Sequence, residues 1–205
     1  MGGGTGDDLV EVLGVAQGRG LLGPGPVQRH LEHAAAFRAF VPDDVLVADL
    51  GTGGGPPGLI LAVLLPGTRW VFIEAQRRRA DFLRWACARL GLSERVAVRE
   101  ERAETVGRDG SLREACGVVV ARAFGSPAVT AECAAPLLVP TGVAVVSEPP
   151  GGAEDRWPAD GLALLGLAVQ ERHTGPPALV VLAKIAPCPD RYPRGVGRPA
   201  KRPLW

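Results

Sequence analysis

Val45-Leu-Val-Ala-Asp-Leu-Gly-Thr-Gly-Gly-Gly-Pro-Pro-Gly58 joins a short apolar run to a glycine-rich turn. An unbroken run of Val, Leu and Ala suits a parallel strand covered on both faces. Glycine is needed where the backbone turns with positive φ, or lies against a ligand with no Cβ in the way. With 28 glycines in 205 residues, a Gly-x-Gly match is weak by itself, and its context makes it specific. Residues 57–65 read as a helix, and Trp70-Val-Phe-Ile-Glu74 reads as a second strand ending in an acid. Strand, glycine turn, helix and an acid at the end of the next strand is the order of a nucleotide-binding α/β unit. The carboxylate there accepts from the ribose hydroxyls.

Outward from this unit, strands and helices keep alternating. Residues 77–90 form an amphipathic helix closed by Gly91. Residues 95–99 and 117–121 are a third and fourth strand, 127–138 a helix, and 142–147 a fifth strand. Residues 164–172 and 178–185 form a closing pair around a turn at 173–177. The alternation predicts an α/β, Rossmann-like fold with a mostly parallel seven-stranded sheet, and the closing pair predicts an antiparallel edge. Upstream, residues 1–24 read as a glycine-rich arm with one apolar stretch at 9–15, and 27–40 as a helix stopped by Pro42. The chain thus divides into an N-terminal arm and helix (1–44), the sheet domain (45–186) and a basic Pro/Gly-rich tail (187–205).

Two features select S-adenosylmethionine over a nicotinamide dinucleotide, the alternative; a ligand-free structural turn is the plainer third reading. Asp49 precedes the first glycine, where it can accept from ordered water and the cofactor's ammonium. Pro56 and Pro57 occupy the helix start and remove N–H donors that a pyrophosphate would use. Asp49, Gly51, Gly53 and Glu74 are therefore candidate cofactor contacts. Arg102-Ala-Glu104 follows the third strand, in the loop that covers adenine in this fold. Arg122 ends the fourth strand at the sheet's carboxyl edge, where a cofactor carboxylate is a natural bidentate partner.

These residues resemble the RsmG/GidB family of bacterial methyltransferases of 16S ribosomal RNA. The resemblance is carried by DLGTGGGPPG at 49–58, RAE at 102–104, ARAF at 121–124 and RYPRGVGRPAKRPL at 191–204. It implies an S-adenosylmethionine-dependent class I enzyme that methylates a guanine at N7. It also implies cofactor contacts at Gly51, Pro56, Ala103, Glu104 and Arg122. The chain departs from the pattern in three places. Pro56 stands where Phe or Leu is commoner, the N-terminal helices look shortened with only Arg29-His-Leu31 matching, and Ser147-Glu-Pro149 replaces Leu-Lys-Gly. A methyltransferase of the same fold acting on a small molecule or another RNA is the second reading. A non-catalytic RNA-binding homologue is the third.

The rest of the chain fits an RNA enzyme. Guanine N7 carries a free lone pair, so no catalytic base is required and none is assigned. Ala121-Arg-Ala-Phe124 stands where exocyclic-amine methylases carry Asn/Asp-Pro-Pro-Tyr/Phe. Pro187-Cys188 lies in the tail and is read as no nucleophile, and His30 as a packing or surface residue. Five tail cations, Arg191, Arg194, Arg198, Lys201 and Arg202, are the expected phosphate contacts, with Tyr192 available for stacking. Pro193, Pro199 and Pro203 are expected to keep the tail irregular and out of the core. The arginines of 77–89 read as a solvated helix face. Four scattered cysteines without metal spacing indicate a reducing compartment and no metal site. No apolar run reaches the roughly 18 residues of a membrane span, and residues 1–8 do not read as a signal peptide. The expected setting is the cytoplasm, and the expected partner is 16S ribosomal RNA or the small subunit, met by a monomer.

Overall fold

The computed structural model describes residues 4–151 and 154–205. Helices α1 (Gly4–Gly18) and α2 (Val27–Ala35) lead into the alternating domain. It runs β1 (Leu46–Leu50), α3 (Gly58–Leu64), β2 (Arg69–Ile73), α4 (Arg77–Arg89), β3 (Val96–Arg99), α5 (Ala103–Val106), β4 (Cys116–Ala121), α6 (Pro127–Ala134) and β5 (Leu138–Ser147). Helix α7 (Ala159–Ala163), strands β6 (Leu167–His173) and β7 (Leu179–Lys184), and the single turn α8 (Arg198–Lys201) complete it. The seven strands are ordered β3-β2-β1-β4-β5-β7-β6. The first five pair in parallel, and β7 pairs antiparallel with β5 and β6. The expected fold class is therefore the observed one. The strand order reverses between β1 and β4, and in open α/β sheets ligands bind outside the carboxyl ends at such a point.

Strand side chains alternate between the two faces of the sheet. Val47, Val118, Val120, Val145 and Val181 pack under helices α1 to α4. Ala48, Leu50, Val119, Ala121, Val146 and Leu182 face the opposite way, toward α6, α7 and the C-terminal segment.

Two expectations about the chain ends are corrected. The N-terminal arm is a helix: Leu9, Val12, Leu13 and Ala16 recur at helical spacing and are buried against the core. Its outer face is held by Arg89 of α4, which meets Asp8 at 2.8 Å and Glu11 at 3.3 Å. The apolar periodicity was present in the sequence but masked by the glycines around it. The arginines of α4 are likewise engaged within the chain, Arg84 with Asp81 and Glu100 and Arg78 with the Arg19 carbonyl.

The tail belongs to the core instead of hanging from it. Cys188 and Tyr192 are buried, and Leu204 and Trp205 pack on the same cluster. Burial removes Tyr192 from any stacking role. The Trp205 ring lies so close over Gly161 that a Cβ there would collide with it, and its Nε1 donates to the Arg156 carbonyl at 3.1 Å. Pro199 sits in the first turn of α8, where its missing N–H is not needed.

Arg194 is committed as well. Its Nε and Nη2 donate to both oxygens of Glu132, at 2.9 and 2.7 Å, and its backbone N–H donates to Oε1 at 2.8 Å. Glu132 is 0% exposed, so this pair neutralises a carboxylate inside the fold, and Arg194 is not free for phosphate. Removing one partner leaves a buried charge uncompensated. Arg194→Ala is expected to destabilise the protein by about 3 kcal/mol, measured by urea denaturation. A loss too small to measure would mean that the tail is not anchored by this pair.

Candidate cofactor site

The site grows out of the glycine-rich turn after β1. Gly51 and Gly53 adopt φ of +67° and +59°, the left-handed region that glycine enters without strain. At Gly51 a Cβ would also stand 2.8 Å from the Phe124 ring. Gly58 approaches Asp49 so closely that a Cβ would meet its carboxylate, and one on Gly54 would meet the Leu21 carbonyl. The turn is thus clamped from below by Asp49 and from the side by the segment between α1 and α2.

Two buried acids hold this turn. Asp49 Oδ2 accepts from Gly58 N–H at 2.9 Å, fixing the start of α3 to the end of β1. Glu74, 4% exposed at the exit of β2, accepts from Gly53 N–H through Oε2 at 3.1 Å. Its Oε1 accepts from Gln76 N–H at 2.8 Å. Each Glu74 oxygen keeps a lone pair for a further donor.

A cavity of about 530 Å³ opens beside Glu74, within the size range of small-ligand sites. Of the eight residues expected to hold cofactor, Gly51, Glu74, Ala103 and Glu104 line it. Asp49, Gly53 and Pro56 lie in or beneath the turn, outside the lining. Arg122 borders a second cavity of about 330 Å³, and Ala123, Phe124 and Gly125 separate the two spaces. Several lining residues were missed from sequence. Gln76 and Arg79 follow Glu74, Phe124 lies within a quoted motif without a role, and Ala200 comes from the tail. Ala200 arrives there because Gly197 N–H donates to Glu104 Oε1 at 2.9 Å. No local signal links positions 104 and 197.

Arg122 lies beside α2. Its Nη2 donates to Nδ1 of His30 at 3.1 Å, and its Nη1 is buried without a partner among the described residues. Burial first, then the guanidinium, lowers the His30 pKa, in keeping with a neutral imidazole that accepts. His33 is lowered further, to about 4, again by burial ahead of Arg122. A guanidinium with one buried N–H group unsatisfied beside the turn is a position for an anion. The fit to S-adenosylmethionine rests on this donor, on the Glu74 acceptors and on the cavity between the turn and Glu104.

Comparison with known proteins assigns the family. Residues 25–148 match the family described as GidB, rRNA small subunit methyltransferase G. The chain belongs to this family. A relative from Prochlorococcus marinus (strain MIT 9313), named ribosomal RNA small subunit methyltransferase G, is 37% identical over 187 residues, covering 87% of this chain and 73% of the relative. One of the same name from Rubrobacter xylanophilus is 42% identical over 171 residues, covering 77% of this chain and 64% of the relative. Among solved structures, an O-methyltransferase from Bacillus cereus in complex with SAH superposes with a TM-score of 0.63 at 20% identity, covering 87% of this chain and 90% of that one. A putative rRNA methylase from Clostridium thermocellum gives 0.57 at 21% identity, covering 76% and 95%. These two establish the class I methyltransferase fold. The GidB-family chain is accordingly a methyltransferase. Among the described residues no group of His, Cys, Asp and Glu is arranged to hold a metal, and no helix is long and apolar enough to cross a membrane.

Asp49 gives the site a pH signature. Burial pushes its carboxyl up from 3.8 to about 8, against the hydrogen bond from Gly58 and with the help of nearby Glu74. The folded chain then holds a proton that the unfolded chain has lost between about pH 4 and pH 8, so stability falls as pH rises through that window. Asp49→Asn keeps an acceptor for Gly58 and removes the titration. Melting curves at about pH 5 and about pH 8 should show a larger fall in Tm for the wild type than for the variant. Equal falls would contradict a protonated Asp49.

Proposed function

We propose that this protein methylates N7 of a guanine in small-subunit ribosomal RNA. The observation that carries the reading is membership of a family whose relatives bear the name rRNA small subunit methyltransferase G over nearly the whole chain. The site supports the chemistry. Bound S-adenosylmethionine supplies a methyl carbon attached to a positively charged sulfur.

The residues of this chain do the holding and orienting. Glu74 would accept from the ribose hydroxyls with its remaining lone pairs. Ala103 and Glu104 would border the adenine, and Gly51 and Gly53 would let the turn approach the cofactor closely. Pro56 shapes the start of α3. Arg122 Nη1 would pair with the carboxylate, and Asp49 would underpin the turn near the ammonium. The guanine N7 lone pair would form the new C–N bond as the carbon–sulfur bonding pair leaves with sulfur. No proton leaves the guanine, so positioning and exclusion of water carry the rate. The sequence Ala121-Arg-Ala-Phe124 in place of an Asn/Asp-Pro-Pro-Tyr/Phe motif favours a ring nitrogen over an exocyclic amine.

Arg191, Arg198, Lys201 and Arg202 are exposed on the tail and are the phosphate contacts in this reading. In this reading the enzyme works in the cytoplasm, as a monomer, on 16S ribosomal RNA or the small subunit.

Arg122→Ala should weaken S-adenosylmethionine binding by roughly 2–5 kcal/mol, the cost of truncating one partner of a buried charge pair. Calorimetry on the folded variant reads it, and unchanged affinity would remove Arg122 from the cofactor site. Borohydride and aniline treatment of methylated RNA cuts at 7-methylguanine, because the cationic ring is labile. A cut at the labelled nucleotide is expected, and methylation without cleavage would place the methyl on another atom.

A further inference from the structure

The second cavity carries chemistry that the cofactor does not use. It lies at the ends of β4 and β5, bordered by Arg122, Phe124, Thr130, Glu148, Arg156 and Trp157. Phe124 also borders the cofactor cavity, so the two spaces meet along one aromatic ring. Three side chains around the second space hold buried polar atoms without a partner among the described residues: Arg122 Nη1, assigned above to the cofactor's carboxylate, and one atom each of Glu148 and Trp157. Glu148 has an 8% exposed side chain whose Oε2 is held by Arg156 Nε at 2.8 Å, while Oε1 is unsatisfied. Trp157 is 3% exposed, and its Nε1 has no acceptor among the described residues. An unsatisfied buried acceptor or donor carries a desolvation penalty. The cost disappears when a ligand with complementary groups enters.

The complementary ligand is a purine with two adjacent donors and a neighbouring acceptor. Guanine presents N1–H and the 2-amino group side by side, next to O6. Adenine offers an unprotonated N1 in the same place, which a carboxylate repels. We propose that this cavity receives the extruded target guanine, with Glu148 Oε1 accepting from N1–H and the 2-amino group and Trp157 Nε1 donating to O6. Phe124 supplies a stacking face, as enzymes that act on unstacked bases require. Reading the guanine by N1, the 2-amino group and O6 leaves N7, on the adjoining edge beside O6, free to face the methyl donor. Arg156 is a positioning residue: it fixes the carboxylate and compensates its charge. Glu148, which replaces a lysine of the family pattern, is thereby given a partner within the chain. This inference rests on the guanine-N7 reading above.

The test is a functional-group cycle. Small-subunit rRNA is ligated around an oligonucleotide carrying either guanosine or inosine at the methylated position. Inosine lacks only the 2-amino group. Methyl transfer from labelled S-adenosylmethionine is measured for wild type and Glu148→Gln, with cofactor affinity and Tm measured on both. For the wild type, inosine should lower kcat/KM by roughly ten- to a hundredfold. Glu148→Gln, which keeps an amide oxygen for Arg156, should lose a similar factor on guanosine rRNA, with cofactor affinity held and a cooperative melting transition retained. The variant should then lose much less on inosine rRNA than the wild type does, because the 2-amino contact that inosine lacks is one of those the carboxylate makes. Losses that multiply, or a variant with wild-type kcat/KM, would overturn the pocket assignment. Wild-type protein that transfers no methyl to either rRNA would overturn the functional reading itself.

Discussion

One buried carboxylate organises the molecule's functional end. Glu74 accepts from Gly53 and from Gln76, joining the turn after β1 to the chain leaving β2. Without it, two backbone N–H groups would be unsatisfied inside the protein, and the glycine-rich turn would lose its tie to the neighbouring strand. The tie explains why an acid is needed at the end of an otherwise apolar strand. It also explains how a charged group is tolerated there: backbone donors hold it, and the cavity leaves it in reach of further donors.

Around that tie the fold is closed from three directions. Asp49 grips the start of α3 from below. The segment between α1 and α2 brings Leu21 against Gly54. From the far side, the tail delivers Gly197 to Glu104 and Ala200 to the cavity wall. Parts distant in sequence thus make one pocket. The tail has a double duty, since its inward face completes the core and cofactor site while Arg191, Arg198, Lys201 and Arg202 stay outward. In the proposed reading, RNA contact and cofactor enclosure fall to the same short stretch.

The sheet was legible in the sequence because its signals are local. Apolar runs such as 45–49 and 117–121, glycine punctuation and an acid after 70–73 each act within a few residues. Helix α1 was read as an arm because its apolar spacing lies among glycines, and only packing against α4 fixes it as a helix. The tail was read as irregular because prolines exclude extended regular structure. Irregular backbone can still be buried when side chains such as Tyr192 and Trp205 find a surface and Glu132 receives Arg194. At the site, Glu74 and Gly51 announced themselves through motif order. Ala200, Trp157 and the separating position of Phe124 depend on long-range closure, for which no spacing rule exists.

The central claim is that Glu74, already bonded by two backbone N–H groups, takes the ribose hydroxyls of the methyl donor. Altering Glu74 would also disturb the turn, so the ligand is the better variable. Calorimetric titration of the unmodified protein with S-adenosylhomocysteine and with its 2′,3′-dideoxyribose analogue isolates the contact. The account predicts that the analogue binds at least about tenfold more weakly, from lost hydrogen bonds to a charged acceptor worth roughly 1.5–3 kcal/mol each. Equal affinities would contradict it.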